Sequence, residues 1–112
     1  MATEVQLIPA MSTTEVNRTW RFVFTDDMLS GATILSATAT HTPPSGSAAT
    51  PVTNVVSPET NADGTQEHVV YVTLPAAAVT GRHYLECKAV VDNTGSVANE
   101  TLSIRGWFVA NY

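Results

Sequence analysis

Trp20, Phe22 and Phe24 alternate with Thr19, Arg21 and Val23. A period of two puts the aromatics on one face of a strand over residues 18–24, and such a face needs a second layer to cover it. Thr25-Asp26-Asp27 interrupts the run, and Leu29-Ser30-Gly31 marks a turn before a strand resumes over residues 32–41. In that strand Leu35, Ala37 and Ala39 share one parity and Ser36, Thr38 and Thr40 the other. Small inward groups suit a place where large ones approach from the opposite layer. Upstream, residues 4–8 predict a short edge segment, with Pro9 in the connection that follows.

Pro43-Pro44-Ser45-Gly46 opens a loop that lasts to residue 50, and residues 52–56 predict a short strand. Residues 58–65 predict a turn, since Asp63-Gly64 tolerates positive φ. The strongest β run is 68–74, where Val70, Val72 and Leu74 oppose Val69 and Tyr71; apolar types on both parities predict a central strand or a covered outer face. Residues 75–79 are too few for an independent helix and predict a crossing loop or one helical turn. Leu85, Cys87, Ala89 and Val91 then share one face of a strand over 83–92. Asn93-Thr94-Gly95 predicts a hairpin turn, and its return strand over 97–105 turns Leu102 and Ile104 inward. Gly106 separates that strand from Trp107, Phe108 and the last residues up to Tyr112.

These elements make an all-β protein, a sandwich of about seven short antiparallel strands. Its expected core is Trp20, Phe22, Phe24, Leu35, Leu85, Cys87, Ala89, Leu102 and Ile104. The organisation reads as a lead or edge segment at 1–17, the sandwich at 18–105, and an aromatic extension or final strand at 106–112. With 112 residues the chain has the length of one small domain, and with a single cysteine it forms no internal disulfide. The fold is expected to be held by packing. A formal charge of −5 and only five Lys plus Arg argue against nucleic acid or an anionic membrane as partner. No signal-like or membrane-spanning apolar run occurs, so a soluble chain made without a standard export signal is expected.

Chemistry is sparse. Cys87 shares parity with Leu85 and Ala89 and reads as a buried thiol; His83 lies four strand residues away, about 13 Å by strand rise, too far to activate it. His41, His68 and His83 match no zinc spacing. Residues 59–64 imitate the first half of a calcium loop, but Val70 occupies the place of the bidentate glutamate. Glu59, Asp63 and Glu67 therefore read as an acidic surface turn, and Asp26-Asp27 as a polar edge or turn. No serine, histidine and acid grouping has a nucleophile-elbow pattern. The expectation is no catalytic residues, no cofactor and no metal. Trp107, Phe108 and Tyr112 are the expected interface residues, because aromatics bury large area with little rotamer loss.

Tyr84 stands three residues before Cys87, whereas antibody-type domains place the late-strand tyrosine two residues before their second cysteine, and no earlier cysteine exists. That signature fails. Trp20-Arg21-Phe22-Val23-Phe24 with Asp26-Asp27-Met28-Leu29-Ser30-Gly31-Ala32-Thr33-Ile34, then Tyr84 to Val90, Asn93-Thr94-Gly95 and residues 100–105, instead resemble small Ig-like structural proteins of tailed bacteriophages. The resemblance covers roughly residues 18–105. It implies an immunoglobulin-like sandwich and a non-catalytic virion accessory module, made in the host cytoplasm, homo-oligomeric, and attached to capsid, neck or tail proteins. The competing expectation is a module that binds surface carbohydrate or another host ligand, with Tyr71, Tyr84 and the terminal aromatics as contacts.

Overall fold

The computed structural model describes residues 3–7, 12–29, 32–92 and 100–110. Gly31, the expected turn at Asn93-Thr94-Gly95 and the expected interface residue Tyr112 lie outside them. Along the described residues run β1 (Thr3–Leu7), β2 (Val16–Phe24), the single turn α1 (Asp26–Leu29), β3 (Ile34–Thr42), β4 (Val52–Thr60), β5 (Gln66–Ala76), β6 (Gly81–Val91) and β7 (Glu100–Ala110). One sheet has the order β2-β5-β4, antiparallel throughout. The other has β7-β6-β3, also antiparallel, with β1 added parallel to β7 on its outer side. The fold is all-β, two-layered and free of disulfides, and Cys87 is a buried free thiol.

Alternation makes the core. Trp20, Phe22 and Phe24 of β2 meet Val70, Val72 and Leu74 of β5, and the combined face packs on Leu85, Cys87, Ala89, Leu102, Ile104 and Phe108 of the second sheet. Each such large side chain contributes roughly 1.5–3 kcal/mol by leaving water. Val69, on the outward side of β5, is also fully buried because Val23 and Val56 flank it in register. The apolar outer parity of residues 68–74 thus belongs to a central strand. Trp20 and Phe108 stack at 5.1 Å and join the two sheets.

Four expectations need correction. Leu35 is 53% exposed, not core: the β3–β6 register slips between Ile34 and Ser36, so a bulge gives the inward place to Ile34 and turns Leu35 outward. Phe108 is core, not interface, because β7 continues through Gly106 without a break and keeps Phe108 opposite the inward His83. Residues 58–60 extend β4 rather than forming a turn; Pro58 is accommodated because β4 is an edge strand, where a missing donor leaves no ladder bond open. The first strand pairs in parallel, not antiparallel.

The edges β3 and β4 are tied by side chains in place of a ladder. Ile34 N–H donates to Ser57 Oγ at 2.9 Å, and Thr53 Oγ1 donates to the Ala37 carbonyl at 3.0 Å. In α1 the Thr25 carbonyl accepts from the Met28 and Leu29 amides and the Thr25 hydroxyl caps the turn by accepting from the Met28 amide at 3.4 Å, which seats Leu29 in the core.

Candidate interaction face

The inward parity of β6 fixes what its other parity shows to solvent. Arg82, Tyr84, Glu86 and Lys88 point outward, and across the ladder Tyr84 faces Trp107, Glu86 faces Arg105, and Lys88 faces Ser103. On the other side Thr42 pairs with Tyr84 and Thr40 with Glu86. Arg82, Lys88 and Arg105 are three of the chain's five basic residues, and Glu86 is the carboxylate among them. The remaining two are engaged elsewhere: Arg18 pairs with Glu15 at 2.9 Å, and Arg21 with Glu59 at 2.8 Å and Glu67 at 3.2 Å. An acidic chain therefore carries one basic, aromatic face.

That face is loosely committed internally. Lys88 and Arg105 approach Glu86 at 3.7 and 3.6 Å, beyond good hydrogen-bond length, with half of each basic side chain exposed. The Arg82 guanidinium lies 4.1 Å from the Trp107 ring centre, a cation–π contact that orients both groups. Tyr84 is 38% exposed. With Thr40, Thr42, Glu86 and Arg105 it lines an open cleft of about 270 Å³. Of the expected interface residues, Trp107 belongs to this face. Tyr84, expected above as a ligand contact, lies on it too, while Arg82, Glu86 and Lys88 went unpredicted although they alternate with the core residues of the same strand.

The opposite sheet gathers its charges differently. Arg21 is raised even above its ordinary value, by Glu59 first and Tyr71 next. The Tyr71 hydroxyl donates to Glu59 and holds that carboxylate below the usual range, helped by Arg21. Asn61, then Arg21, lower Glu67 in the same way. Asp63 accepts from the Thr65 amide at 3.0 Å and from its hydroxyl, closing the turn where Gly64 has φ +88°. These carboxylates are directed to protein donors.

The three histidines separate. His41 and His83 meet at 2.9 Å between the sheets, while His68 Nδ1 shares a hydrogen bond with Ser57 Oγ, which also accepts from Ile34 N–H. That serine and histidine lie on neighbouring strands β4 and β5 and brace the sandwich edge. Cys87 faces Ala39 and Ile104, and burial pushes its thiol up to about 12, which keeps it protonated and unreactive at neutral pH. His83 is turned toward His41 and the Val79 carbonyl. No group of three or more potential metal ligands occurs among the described residues. Compared with family models, curated proteins and solved structures, the chain matches none.

Proposed function

We propose that the protein is a non-catalytic structural module of a tailed-phage particle, built on an immunoglobulin-like sandwich, and that copies dock through the outer face of β3-β6-β7. The strand orders β2-β5-β4 and β3-β6-β7 support the immunoglobulin-like reading, since they follow the order of the two sheets in such domains. The resemblance of residues 18–105 supports the particle role. The observation that carries the docking is the alignment of Arg82, Lys88 and Arg105 on one outward face with Tyr84 and Trp107, on a chain of net charge −5. The rest of a second copy carries nine Asp and Glu against two Arg, so contact between copies brings unlike charges together. Because the two patches differ, the contact is head to tail and either closes a ring or extends.

Light scattering at low salt should show mass rising with concentration, and the rise should weaken as salt shortens the screening length from about 30 Å to about 8 Å. Reversing the face in Arg82→Glu, Lys88→Glu, Arg105→Glu should weaken association on the order of 100-fold, through like-charge contact. A parent protein that stays monomeric at all concentrations and salts overturns the docking reading. The cleft favours a second reading, a sugar site, in which Tyr84 stacks on a sugar ring and Glu86 and Arg105 bond its hydroxyls. A glycan-array signal abolished by Tyr84→Ala supports that reading, and an empty array removes it.

A further inference from the structure

Two histidines are sealed between the sheets at one end of the sandwich: His83 has no exposed surface and His41 has 5%. Their hydrogen bonds form a single directed chain. The Ala49 amide, which can only donate, donates to His41 Nδ1 at 3.0 Å. His41 must then carry its proton on Nε2, and that N–H donates to His83 Nδ1 at 2.9 Å. His83 is thereby also an Nε2–H tautomer, and it donates to the Val79 carbonyl, which can only accept, at 2.7 Å. Both rings are neutral and fully bonded. The ring planes lie within 4° of each other, and His83 stacks on Phe108 at 4.9 Å.

Each end of the chain is a loop. Ala49 belongs to the connection between β3 and β4, and Val79 to the one between β5 and β6, next to Ala78 with φ +71°. An added proton has nowhere to go: on His41 Nδ1 it points at the Ala49 N–H, and on His83 Nδ1 at the His41 N–H. Either case sets donor against donor. Among the described residues no opposite charge faces the pair. On the inward side β6 offers Leu85 and the protonated thiol of Cys87, β7 offers Phe108, and β2 offers Trp20, stacked on Phe108. Arg82, Tyr84 and Glu86 lie on the far face of β6, and His68 is engaged with Ser57 at the end of the sandwich where it pairs with Phe24.

We propose that His41 and His83 form a proton-operated latch, which fastens the 43–50 and 77–80 loops to the core while both rings are neutral and releases them when the pair takes up one proton. Burial, and then the neighbouring His83, lower the proton affinity of His41. The unfolded chain takes up a proton near the ordinary histidine value of about 6.5, so it binds more protons than the folded one below that pH. Stability is thus fully present above about 6.5 and falls as the solution is acidified toward the depressed folded value. Carboxylates act in a lower window, because Glu15, Glu59, Asp63 and Glu67 are all depressed from values near or below 4.5.

The test is on the intact protein. Long-range proton–nitrogen spectra at pH 7.5 should show Nε2–H tautomers for both residues. Between pH 6.5 and 5 the unfolding constant should rise by between about tenfold and about a hundredfold per pH unit, one or two excess protons in the unfolded state, while the Ala49 amide signal shifts with the histidine signals. His41→Gln, whose amide keeps an N–H donor but does not titrate, should reduce that slope. An Nδ1–H tautomer at either ring, or a histidine that titrates near 6.5 while the Ala49 amide stays unmoved, overturns the latch. The spectra of the parent protein decide this even where the variant does not fold.

Discussion

Replacing Phe108 with alanine should cost about 3–5 kcal/mol, against a total of roughly 5–15 kcal/mol for a domain of this kind. The ring is fully buried, stacks on Trp20 from one sheet and His83 from the other, and sits on β7, which is paired on both sides by β1 and β6. Its two stacking partners are held in place, Trp20 on β2 and His83 by its hydrogen bonds to His41 and the Val79 carbonyl, which limits collapse into the space. Urea denaturation followed by circular dichroism should show the midpoint falling by a third or more, or no cooperative transition at all. Trp107→Ala, one residue away but facing outward under Arg82, should change stability by less than about 1 kcal/mol. Equal losses from the two variants contradict the assignment of Phe108 to the core and Trp107 to the surface.

Gly81→Ala should be the next most damaging single change. Gly81 has φ +120°, a conformation that side-chain-bearing residues rarely adopt, and a methyl group there meets Pro44 Cγ at 2.9 Å and Cβ at 3.2 Å. The backbone share costs about 1–3 kcal/mol, and overpacking adds about 1–3 kcal/mol. The two shares separate in a double-mutant cycle, because Pro44→Ala removes the closer atom without altering φ at residue 81. Partial recovery in the double variant assigns the recovered part to packing. A Gly81→Ala protein as stable as its parent contradicts the turn geometry at the start of β6.

Alternation makes most of the layering legible before any coordinates. Trp20, Phe22, Phe24, Leu85, Cys87, Ala89, Leu102 and Ile104 follow a strict period of two, and all are buried. Leu35 escapes the rule because a bulge shifts parity by one residue, and no local signal at Ile34 or Ser36 announces it. Phe108 is misread for a different reason: Gly106 looks like a break, but in a strand hydrogen-bonded on both sides the ladder carries the chain through. The basic face is written in the sequence as the complement of the core pattern. The histidine pair is not, since His41 and His83 stand 42 residues apart and only strand pairing aligns them.

The parallel pairing of β1 with β7 has a mechanical consequence. Thr3 to Leu7 run beside Ser103 to Trp107 in five aligned pairs, so the chain enters at one end of this ribbon and leaves at the other. Tension between the two termini pulls along the ribbon and loads its hydrogen bonds together, where a hairpin arrangement lets them peel apart one at a time. A module placed between anchored neighbours by its ends resists stretching through that seam before its interior is strained.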